Sequence, residues 1–75
     1  MKIGNRVTVL EPSDPNAKTG DGTPVSRYVG KRGGVMAIDE EKGLVLVDDQ
    51  YQNYPKQEGG SYMREWFKPE HLEVG

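Results

Sequence analysis

The chain has 75 residues, 33% of them hydrophobic and 29% charged, with a formal net charge of −2 and no cysteine. This points to one small domain with no disulfide or thiolate metal site, and without the basic excess that supplies most nucleic-acid affinity. No apolar run approaches the ~20 residues of a membrane-spanning helix and no signal-peptide core follows Met1, so a cytoplasmic protein is expected.

The first element is Gly4 to Leu10. A turn pair precedes an alternating run in which Val7 and Val9 point one way and Arg6 and Thr8 the other, the period of a half-buried strand. Glu11 to Pro24 reads as a loop, because Pro12, Pro15 and Pro24 withhold backbone donors while Gly20 and Gly22 permit positive φ. No ladder is expected there. A loop of this length in a small domain is functional or mobile. Val25 to Val29 is a short mixed patch containing Arg27 and Tyr28, broken by Gly30. Gly33 and Gly34 then suit a sharp bend or bulge. Val35 to Ile38 and Leu44 to Val47 flank the charged turn Asp39-Glu40-Glu41-Lys42-Gly43, a β-hairpin signal with Gly43 as the left-handed residue. Four apolar residues in a row from Leu44 predict burial on both faces, or a twisted strand shared between two halves of a barrel.

Asp48 to Ser61 is a second loop, hinged at Gly59-Gly60. Tyr62 to Phe67 resumes as a strand, with Tyr62, Arg64 and Trp66 on one side and Met63, Glu65 and Phe67 on the other. Lys68 to Leu72 reads as a proline-led 3₁₀ turn, and Leu72 to Val74 as a last short strand. Five short strands, a long first loop and a 3₁₀ turn before the last strand predict an all-β, five-stranded closed barrel. Its core is Val7, Val9, Val35, Ile38, Val45 or Leu46, Val47, Phe67 and Leu72.

This order resembles the SH3-like barrel. Gly4-Asn5-Arg6-Val7-Thr8-Val9, followed by Gly30-Lys31-Arg32-Gly33-Gly34-Val35 and Ile38-Asp39, is similar to a KOW-type module, which implies an RNA or ribonucleoprotein partner. The tail Trp66-Phe67-Lys68-Pro69-Glu70-His71-Leu72-Glu73-Val74 is similar in layout to the end of SH3 domains. In size, strand order and the Gly-x-x-Val-x-Val opening, the chain also resembles the small SH3-like accessory subunits of photosynthetic electron-transfer complexes. That likeness implies docking onto a large protein partner.

Chemistry-bearing residues are sparse. His71 is the only histidine, without a metal-site partner or a recognisable triad. A hydrolase would have to use residues such as Ser61 and His71. The Asp14-x-Asn16-x-Lys18 run departs from a calcium loop at Lys18 and Thr19, and Gly30-Lys31 departs from a phosphate loop at Val25 and Arg32. Asp39, Glu40, Glu41, Asp48 and Asp49 read as a solvated acidic rim able to speed encounter with a basic partner. No catalytic residue, metal or cofactor is expected. The expected function is a non-catalytic accessory or regulatory module that binds a larger protein through the long first loop and Tyr28, Tyr51, Tyr54, Tyr62, Arg64 and Trp66. The alternative is nucleic-acid binding through Arg27, Lys31, Arg32, Arg64 and Lys68, with aromatics stacking on bases.

Overall fold

A computed structural model describes residues 1–49 and 63–75. The alternation in Arg6–Val9 forms strand β1, burying Val7 and Val9. The hairpin signal forms β2 (Arg32–Asp39) and β3 (Leu44–Asp48), joined through Gly43 at φ +68°. Arg64–Phe67 forms β4, a 3₁₀ turn spans Pro69–His71, and Leu72–Val74 forms β5. All pairings are antiparallel, in the spatial order β4-β3-β2-β1-β5. Among the described residues no helix is long and apolar enough to cross a membrane.

The five strands, the long first loop and the 3₁₀ turn before the last strand are as the sequence predicts. Closure is not: the ladder ends at β4 and β5, which do not pair, so the sheet is not a closed barrel. It is nonetheless curved. Laid flat, its outermost strands would lie about 19 Å apart, four spacings of ~4.8 Å. Phe67 and Leu72, on those two strands, are separated by four residues, three of them in the 3₁₀ turn. Such a connection spans at most roughly 15 Å, so the edges are drawn toward each other around the core.

The core contains Val7, Val9, Val35, Val45, Val47, Phe67 and Leu72, with Ile38 packed against it. Three further members are Val25, Tyr28 and Met63. Leu44 and Leu46 are half-buried on the opposite face of β3 from Val45 and Val47. The short patch after the long loop is a 3₁₀ turn, Val25–Tyr28, which sends its first and last residues inward. The bend in β2 divides between two places. The register slip lies at Met36, because Val35 pairs with Val47 and Ala37 with Leu46, leaving one extra residue on β2. Gly33 serves a close approach instead: a Cβ there would lie 2.8 Å from the Asp48 carbonyl oxygen and 2.9 Å from Val47 Cγ1.

The loop after β1 is more ordered than its prolines suggest. The Ala17 N–H donates to the Asp14 carbonyl, and Asp14 Oδ1 accepts from the Asn16 N–H at 2.8 Å. The chain then folds back on itself, with an antiparallel bridge between Lys18 and Pro24. That bridge uses the N–H groups of Thr19 and Val25, so the donor that Pro24 lacks is not needed.

Gly33→Ala is expected to lower stability by about 1–3 kcal/mol, since backbone and a packed valine must give way to one methyl group. Urea unfolding at neutral pH measures this, and an unchanged midpoint would show that the strands can separate there without cost.

Candidate functional site

The loop tip, residues 19–23, seats itself on the outer edge of β4. The Gly20 N–H donates to the Trp66 carbonyl, at 2.6 Å, and the Trp66 N–H donates to Asp21 Oδ2 at 3.2 Å. Both backbone groups of Trp66 on that edge are therefore satisfied by the loop. Glycine lets the tip sit this close at position 20, where a Cβ would lie 2.9 Å from Leu44 Cδ1 and 3.0 Å from Trp66 Cβ.

Beneath the tip, Glu65 projects from the same side of β4 as Phe67 and is half-buried. Its carboxylate accepts from three hydroxyls. Thr19 Oγ1 donates to Oε2 at 2.8 Å, Tyr28 OH to Oε1 at 3.1 Å, and Thr23 Oγ1 to Oε1 at 3.5 Å. Thr19 Oγ1 in turn accepts from the N–H groups of Asp21 and Thr23. One carboxylate thus holds the loop, the Val25–Tyr28 turn and β4 together. Tyr28 is only 6% exposed, and its ring meets Phe67 edge-on with centroids 5.9 Å apart. Burial pushes its phenol pKa above the usual value of 10.0. The hydrogen bond to Glu65 and the charge of Glu65 add to the rise, and Arg27 and Thr23 oppose it.

Beside the clamp lies a pocket of about 240 Å³, lined by Gly20, Asp21, Asp39, Lys42, Leu44 and Trp66. It draws on the loop tip, the β2–β3 turn and β4. Asp39 Oδ1 accepts from the Lys42 N–H at 3.1 Å. Trp66, half-buried, pairs across the strand with Leu46, as Leu46 does with Ala37.

The structure separates the expected contact residues. Trp66 and the long loop come together, whereas Tyr28 turns inward as core and scaffold. Arg64 lies on the exposed side of β4, and its Nε donates to Asp48 Oδ2 at 2.8 Å, so Asp48 is a buried ion-pair partner rather than a solvated rim residue. Asp49 is also buried. Its Oδ2 accepts from the Met63 N–H, and its own N–H donates to the Met63 carbonyl. Tyr51, Tyr54 and Tyr62, like the Gly59-Gly60 hinge and Ser61, lie outside the described residues.

The cations of the nucleic-acid alternative do not share one strand row. Arg64 on β4 aligns with Asp48, Gly34 and Arg6 across the sheet, while Arg32 lies opposite Thr8, which has Glu73 on its other side. Arg27 is exposed on the Val25–Tyr28 turn, and Lys31 is half-buried with its N–H donating to the Tyr28 carbonyl. Lys68 borders a different groove, of about 400 Å³, together with Asp14, Lys18, Glu70 and His71. There the His71 carbonyl accepts from the Leu10 N–H, tying the exit of β1 to the Pro69–His71 turn. His71 Nδ1 is buried and has no hydrogen-bond partner among the described residues. Among those residues no group of three or more His, Cys, Asp or Glu could hold a metal ion.

Because folding raises the Tyr28 pKa, the neutral phenol is favoured in the native state. Its contribution is fully present below the ordinary tyrosine value of about 10 and is lost as pH rises through the higher native value. Wild-type protein is therefore expected to lose stability above about pH 10 more steeply than Tyr28→Phe, in urea unfolding measured across that range. Parallel curves would remove the link between this hydroxyl and the fold. Glu65→Ala strands the hydroxyls of Thr19 and Tyr28, and the same measurement at neutral pH is expected to show a loss of about 2–3 kcal/mol.

No protein-family model matches the chain, and no curated protein sequence matches it either.

Proposed function

We propose that this chain is a non-catalytic accessory module, SH3-like and KOW-related in descent, that docks onto a larger protein in the cytoplasm. The observation that carries the reading is the clamp of the loop tip onto β4. It sets Trp66 and Asp21 at a pocket on a rigid base, with both backbone groups of Trp66 already satisfied. Binding residues on a loop that is pinned to a sheet lose little freedom on association, and a half-buried tryptophan beside a pocket is the residue type that dominates protein interfaces. The strand order, the long first loop and the 3₁₀ turn before β5 support the SH3-like kinship.

Nucleic-acid binding has less support. Of its five cations, Arg64 is engaged with the buried Asp48, Arg32 has Glu73 two strands away in its row, and Lys68 sits with Glu70 and Asp14.

Affinity purification with the full chain is expected to recover a protein partner in stoichiometric amount. Trp66→Ala should weaken that complex by about 2 kcal/mol or more, roughly thirtyfold in Kd. Recovery of nucleic acid alone, released steeply as salt rises, would replace this reading with the RNA-binding one.

A further inference from the structure

The pocket beside Trp66 has a chemistry of its own. Two carboxylates, Asp21 and Asp39, border it from different elements, the loop tip and the end of β2. Each is oriented by a backbone donor: Asp21 Oδ2 by the Trp66 N–H, and Asp39 Oδ1 by the Lys42 N–H. Apolar surface comes from Trp66 and Leu44, which share one face of the sheet with Leu46. One ammonium, Lys42, stands in the same lining, so the local formal balance is −1. Gly20 keeps the wall thin where any side chain would collide with Leu44 and Trp66.

We infer that this pocket receives an arginine side chain of the partner protein. The inference rests on the docking face proposed above and names what that face recognises. A guanidinium is planar, stacks on an indole and offers five donors to flanking carboxylates, and it sheds water more readily than an ammonium does. A volume of about 240 Å³ admits one long side chain and excludes a folded element. A phosphate would meet two carboxylates here, and a purely apolar side chain would strip them of water without replacing it. Lys42, in the same lining, lowers the negative potential that an incoming cation meets.

Trp66 is the only tryptophan, so its emission and its indole N–H resonance report on this pocket alone. The intact chain is titrated with acetyl-Gly-Arg-Gly-amide and with the same tripeptide carrying citrulline, which keeps the shape of arginine and removes its charge. The arginine peptide is expected to give a saturable Trp66 response in the millimolar range, with the citrulline peptide about tenfold weaker. Asp21→Asn with Asp39→Asn should also weaken arginine binding about tenfold. Asparagine preserves the oxygen that accepts each backbone N–H, and unchanged amide spectra elsewhere confirm that the fold is intact. Lys42→Ala should strengthen binding a few-fold by removing a like charge from the lining.

Equal responses to the two peptides, or no saturable response to arginine, would overturn the inference. If the tripeptides fail while Trp66→Ala still releases the protein partner, the docking face stands and only its cationic occupant is removed. If both fail, the face itself is lost.

Discussion

A carboxylate on the core-facing side of a strand is costly unless its oxygens are paired, and the fold here depends on how Glu65 meets that requirement. Its acceptors are taken by Thr19, Thr23 and Tyr28, all supplied by the chain between β1 and β2. The sheet is not closed by backbone pairing. Side-chain hydroxyls and the two backbone bonds at Trp66 carry the contact between the long loop and β4 that holds its tip in place. Val25 and Tyr28 complete the core from the same segment, so the loop acts as packing material as well as a connection.

The strands were legible because their signals are local. Alternation in Arg6–Val9, the glycine-ended turn between two apolar runs, and the proline-led turn before Leu72 each lie within a few residues. The clasp was not legible for the opposite reason. Thr19, Thr23 and Tyr28 are separated from Glu65 by 46, 42 and 37 residues, and threonines in a proline-rich loop read as solvent-facing. Tyr28 reads as an exposed aromatic because a four-residue 3₁₀ turn has too short a period to declare which side is buried. Closure is not legible locally: short strands invite a barrel, but a loop can cover an edge equally well.

The candidate site divides along the same line. Trp66 and the long first loop stand out in the sequence as a large aromatic and a connection of unusual length. Asp21 and Asp39 do not, since one looks like a turn residue and the other like part of a charged hairpin tip. They become partners only when the loop tip docks on β4 and the β2–β3 turn lies alongside. Asp48 and Asp49 show the converse. A pair of adjacent acids reads as hydrated, yet both are buried, one against Arg64 and one against the Met63 backbone.

The bulge at Met36 fixes which way the distal half of β2 faces. Side chains alternate along a strand, so one residue inserted into a regular ladder would invert everything beyond it, whereas a bulge absorbs the residue and keeps both faces in phase with the partner strand. Val35 faces the core before the slip. After it, Ile38 pairs with the buried Val45, and Asp39 falls on the other face with Leu44. Were that extra residue taken up by regular alternation instead of the bulge, the distal half of β2 would turn over, carrying the Asp39 carboxylate toward the interior and Ile38 out to water. The acidic wall of the Trp66 pocket and the apolar seal beneath it both depend on the bulge absorbing that residue, and deletion of Met36 itself would leave both faces as they are.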